Sequence, residues 1–151
     1  MALWDNLKEK VNSMNQNLST KVAQFKNNDF ANATMAICAL VAAADGDIDS
    51  SERQKTASFI MSNETLKIFE ASDLREKFNF FCDKLTQDFD FGKIECIQTI
   101  SKVRKNESQA RAVIQLGIII GGADGDFDPD EKKAVTDACN AVGISPNEFD
   151  L

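Results

Sequence analysis

The chain has 151 residues, 24 acidic and 17 basic side chains, a formal charge of −7 and no histidine. That length supports one well-buried core. The missing imidazole removes the usual general base, the Ser-His and Cys-His nucleophile pairs and most zinc chemistry, and the lack of a basic stripe argues against nucleic acid as a partner.

From the N-terminus, Leu3, Leu7, Val11, Met14, Leu18, Val22 and Phe25 recur in alternating steps of four and three, which draws one apolar stripe on a helix, with Trp4 beside it. The expectation is an amphipathic helix over residues 1–28, set apart from a main domain over residues 29–151 by the polar Asn27-Asn28-Asp29 break. Such a stripe packs on the body, docks on a partner or makes peripheral contact with a membrane. No basic region precedes an apolar run, so no secretory signal is read here. The longest strongly apolar run, Leu116 to Ile120, is too short to span a bilayer.

Ala31 to Ala44 is nearly all apolar and rich in alanine, which predicts a closely packed central helix. It runs into Ala-Asp-Gly-Asp-Ile-Asp-Ser-Ser-Glu, residues Ala44 to Glu52, after which a helix from about Ser50 to Ser62 turns Ala57, Phe59, Ile60 and Met61 inward. Leu74, Phe78, Phe81, Leu85 and Phe89 then follow helical steps, opened by Ser72 and Asp73 with Glu76 three residues after Asp73. A further helix is expected after Gly92, with Ile94, Ile97, Ile100 and Val103 as its stripe. Glu107 to Ala123 repeats the pattern of Ala31 to Ala44. Its β-branched residues would also suit a strand, but the correspondence with an alanine-rich segment favours helix. After Pro129, Ala134, Val135, Ala138, Cys139 and Val142 mark an inward face that Gly143 stops. Ser145 to Glu148 reads as a last short capped helix. The fold class is all-α: two pseudo-repeated helix, acidic loop, helix units around a central helical pair.

The acidic stretch Ala44 to Glu52 returns almost unchanged, seventy-nine residues later, as Ala123 to Glu131. Each copy holds carboxylates at relative positions one, three, five and eight: Asp45, Asp47, Asp49 and Glu52, then Asp124, Asp126, Asp128 and Glu131. Together the two stretches contain nine acids, Asp130 included, and no Lys or Arg. Positions one, three and five match the start of an EF-hand loop, but glycine at two and glutamate at eight, rather than six and twelve, reject that motif. Asp49 with Glu52, and Asp128 with Glu131, have capping-box spacing, with Pro129 at the first helical position. Capping uses only those four. The remaining aspartates crowd like charges that repel by about 1 kcal/mol per pair even in water, so a compensating cation is expected, with a basic partner surface or plain solvated capping as the other readings. Ca²⁺ suits irregular loops of oxygen ligands better than Mg²⁺, which demands an octahedron. A Mg²⁺-dependent phosphotransfer or hydrolase site is the alternative from another class, and it lacks an evident nucleophile, base or phosphate-binding loop.

Cys38, Cys82, Cys96 and Cys139 are widely spaced in apolar helical contexts and form no C-x-x-C pair. They read as reduced thiols packed like small hydrophobes in a cytosolic protein.

With A-A-A-D-G-D-I-D-S-S-E and G-G-A-D-G-D-F-D-P-D-E placed between helices, the chain resembles the TerB family of tellurite-resistance proteins from about Phe30 to Leu151. The resemblance implies an all-helical cytoplasmic protein of the tellurite and stress-resistance system, at the inner face of the membrane; the residues themselves, without an evident nucleophile or base, point to a non-enzymatic adaptor. The resemblance also implies divalent-metal binding by the eight loop carboxylates and association with an integral membrane partner, TerC. An aspartate-rich loop has the wrong sign to capture the tellurite oxyanion directly, so the expected effect on resistance is indirect.

Overall fold

Asn27 does more than break the chain. Its side-chain oxygen accepts from the Phe30 N–H at 2.9 Å and so caps the first turn of α1, Asn28–Ala42. The computed structural model describes residues 25–46, 48–125 and 127–151. The stripe from Leu3 to Val22, and with it most of the expected helix over residues 1–28, lies outside the described residues. Phe25, the last residue of that stripe, is buried with its ring 5.6 Å from that of Phe30.

After α1 come α2 (Ser50–Ser62), α3 (Ala71–Gln87), α4 (Phe89–Ser101), α5 (Glu107–Gly121) and α6 (Pro129–Val142), with single 3₁₀ turns at Glu64–Ile68 and Pro146–Phe149. The described residues contain no strand. The expected all-α class is the observed one. The β-branched segment of α5 is helical because Val113, Ile114, Leu116, Ile118 and Ile120 are all buried in it, and packing overrides a weak intrinsic preference.

Four local expectations need correction. Ser72 and Asp73 do not cap α3, which begins at Ala71 without a side-chain cap, and Asp73 instead binds the Lys77 ammonium one turn on at 2.7 Å. The fourth helix starts at Phe89, because Asp88 accepts from the Phe91 N–H and caps it there. Gly92 therefore sits inside α4, where a Cβ would stand 2.7 Å from the Leu85 Cα, so the glycine lets α3 and α4 cross closely. Ile94 is 52% exposed and does not belong to the inward stripe. The last short helix is a 3₁₀ turn without a side-chain cap.

The core is organised on α1, eleven of whose residues are buried, and all five other α-helices touch it. Alanines 31, 33, 36 and 39 keep its circumference small enough for neighbours on every side. Ile37 and Leu40 supply bulk, each worth about 1.5–3 kcal/mol when buried. By contrast, α2 buries only Ile60, while Ala57, Phe59 and Met61 are partly covered.

One pairing positions everything that follows. Gly117 lies against Ile37 and Gly121 against Val41, each so close that a Cβ would stand 2.6 Å from the partner side chain. The contacts advance by four residues on both helices in the same sense, so α1 and α5 run in the same direction. Their C-terminal ends therefore arrive together, and each leads into an acidic loop.

Candidate functional site

The two loops leave their helices by the same backbone path. Ala43 (φ −102°, ψ 18°) and Gly122 (φ −94°, ψ 7°) end α1 and α5. The Gly46 N–H then donates to the Ala43 carbonyl at 2.9 Å, and the Gly125 N–H to that of Gly122 at 3.0 Å. Gly46 and Gly125 adopt φ of 93° and 88°, the left-handed region that favours glycine, which accounts for the glycine at position two of each acidic stretch. Asp49 and Asp128 cap α2 and α6, accepting from the Glu52 and Glu131 N–H groups at 2.8 Å each. In the second loop the Glu131 carboxylate also accepts from the Asp128 N–H at 3.0 Å, which completes the reciprocal capping box.

Because α1 and α5 end side by side, carboxylates from both stretches line one cleft of about 210 Å³: Asp45 and Glu52 from the first, Asp124, Asp128 and Glu131 from the second. Cys38, Val41, Thr56, Phe59, Ile120 and Gly121 also line it. Asp49 caps α2 and does not line the cleft, while Asp47 and Asp126 lie outside the described residues. Among the described residues no three Asp, Glu, Cys or His side chains are grouped closely enough to hold a metal ion.

The electrostatics are those of crowded acid. Both α1 and α5 direct the negative ends of their helix dipoles toward this pole. Burial, and then the charges of Asp128 and Asp124, push the Glu131 carboxyl up to about 8, although its bond from the Asp128 backbone opposes the rise. The donors are hard oxygens, the set that suits Ca²⁺ or Mg²⁺. Cys38, the soft atom in the wall, is completely buried and its thiol is pushed far up by that burial, so it stays protonated and is a poor ligand.

One residue escaped the sequence reasoning. Lys55 of α2 places its Nζ 3.1 Å from Asp124 Oδ2 and joins the first helix–loop–helix unit to the second loop. Its signal was present, since Lys55 follows Glu52 by three residues and shares its helix face.

The four cysteines are free and buried. Burial raises the Cys82, Cys96 and Cys139 thiols to about 12.

Comparison with known proteins assigns most of the chain to one family. Residues 31–151 match the family described as "Tellurite resistance protein TerB". The chain belongs to the TerB family. It is also similar to the tellurium resistance protein TerB of Alcaligenes sp, 30% identical over 118 residues that cover 78% of this chain and 97% of the relative. No solved structure matches the chain significantly. No described helix of this TerB-family chain is long and apolar enough to cross a membrane.

Proposed function

We propose that this TerB-family chain is a non-enzymatic adaptor of the tellurite and stress-resistance system. Its two acidic loops bind a divalent cation, Ca²⁺ in preference to Mg²⁺, and it acts through a membrane-associated partner, the integral membrane protein TerC, at the inner face of the membrane. The observation that carries the reading is the single cleft lined by Asp45, Glu52, Asp124, Asp128 and Glu131. Irregular loops with many carboxylates favour the larger, less exacting ion. Cation binding stabilises the folded state by linkage.

Calorimetric titration of chelator-stripped protein tests this. Ca²⁺ is expected to give heat of binding and to raise the melting temperature, more so than Mg²⁺, and Asp45→Asn combined with Asp124→Asn is expected to abolish both effects. Neither heat nor thermal shift at millimolar Ca²⁺ or Mg²⁺ overturns the proposal. Turnover of a phosphate ester that is lost on Asp47→Asn would instead make the chain a Mg²⁺-dependent enzyme.

A second reading is a metal-free acidic face for a basic partner. The contact of the Lys55 ammonium with Asp124 favours it, since it is the kind of ion pair a partner's lysine would form. Partner binding that weakens with salt but ignores chelator would select it.

A further inference from the structure

We infer that Lys55 is the resident counter-ion of the acidic cleft, held at Asp124 until a divalent cation displaces it, and that it thereby sets the cation affinity of the site. The inference rests on the cation-binding reading above and adds its regulation by a residue outside both acidic stretches.

Three observations carry it. Lys55 lines the same cleft as the carboxylates of both loops and ends 3.1 Å from Asp124. The pair is weak enough to exchange: the lysine side chain is 55% exposed and that of Asp124 35%, a setting in which ion pairs contribute little. Finally, Lys55 stands on the helix with the least buried anchorage: α2 fully buries only Ile60 and is held besides by the partly covered Ala57, Phe59 and Met61 and by Arg53, which donates to Asn79 and to Asp83 on α3. The ammonium can therefore leave Asp124 without disturbing the core. A cation arriving at Asp124 must break the ion pair and then tolerate a displaced positive charge nearby, so Lys55 lowers the affinity twice over.

The test compares Ca²⁺ binding by the chelator-stripped wild-type chain, Lys55→Gln, Lys55→Arg and Lys67→Gln. Lys67 pairs with Glu64 away from the cleft, so its substitution controls for the change in net charge. Lys55→Gln is expected to bind Ca²⁺ about two- to fivefold more tightly, the range equivalent to an exposed ion pair, while Lys55→Arg and Lys67→Gln stay near wild type. Amine labelling followed by mass spectrometry supplies a second readout on the unmutated chain: Ca²⁺ should speed modification of Lys55 and leave Lys67 unchanged. Equal or weaker binding by Lys55→Gln, or Lys55 labelling that does not rise with Ca²⁺, overturns this inference alone. Absence of Ca²⁺ binding by every variant overturns the cation reading and this inference with it.

Discussion

Val41 and Gly121 meet so closely that a Cβ on the glycine would stand 2.6 Å from Val41 Cγ1 and 3.1 Å from the Phe127 ring. Gly121 is the last residue of α5, and the absent side chain there permits the side-by-side arrival of α1 and α5 at the acidic cleft. Gly121→Val is expected to force the helices apart and to destabilise the fold by about 1–3 kcal/mol. Urea unfolding measures the loss. Cation affinity should fall with it, because the loops separate.

The cation-free protein should lose stability as pH rises. The Glu131 carboxyl is raised from 4.5 to about 8 on folding, so the native state holds more protons than the unfolded chain between those values. The stability associated with that proton is complete below the unfolded value and is lost as pH climbs through the folded one. The limiting slope is about 1.4 kcal/mol per pH unit, and solvent at this half-buried group reduces it. Glu131→Gln keeps an acceptor for the Asp128 N–H but removes the ionisation. Denaturant curves in chelator at pH 5 and pH 8 should show the decline in the wild-type chain and a flatter response in the variant.

Two truncations separate the N-terminal stripe from the start of the fold. Removing residues 1–24 is expected to leave the melting temperature nearly unchanged, as Phe25 and the Asn27 cap remain. Removing residues 1–27 takes away a buried ring and a cap worth about 1 kcal/mol, so the longer deletion should melt several degrees lower. Calorimetry of both proteins checks this, and equal loss from the shorter deletion would put the stripe in the core.

All four thiols should react slowly with a chromogenic disulfide reagent in native buffer and at once in denaturant. The reason is twofold: each is buried, and burial holds each in the unreactive protonated form. Fast labelling of Cys82, whose thiol feels the positive charge of Arg53, without unfolding would reopen direct tellurium chemistry at sulfur.

What the sequence made legible was local. Helical periodicity located α1, α5 and α6 to within a few residues, since their apolar faces are continuous, while caps at Asp49, Asp128 and Gly143 marked the start of α2 and both ends of α6. The start of α4 was misplaced because Gly92 reads as a breaker, whereas its role is a contact with Leu85 that no local signal reveals. Repetition singled out the eight loop carboxylates, five of which line the cleft, yet nothing local distinguishes one shared cleft from two separate sites. That depended on Ile37 meeting Gly117 and Val41 meeting Gly121, contacts eighty positions apart. Lys55 shares a helix face with Glu52, but its partner Asp124 belongs to the other unit, and that pairing no local signal reveals.

The scant burial of α2 also bears on how the protein breathes. Amide hydrogens of α1, enclosed by all five other helices, should exchange only when the whole molecule opens, whereas those of α2 need release only Ile60, the partly covered Ala57, Phe59 and Met61, and the Arg53 and Lys55 contacts. The acidic cleft thus has one wall in the most deeply buried helix and another in the least buried one. Ordering α2 can register an event in the cleft while the centre of the fold stays as it was.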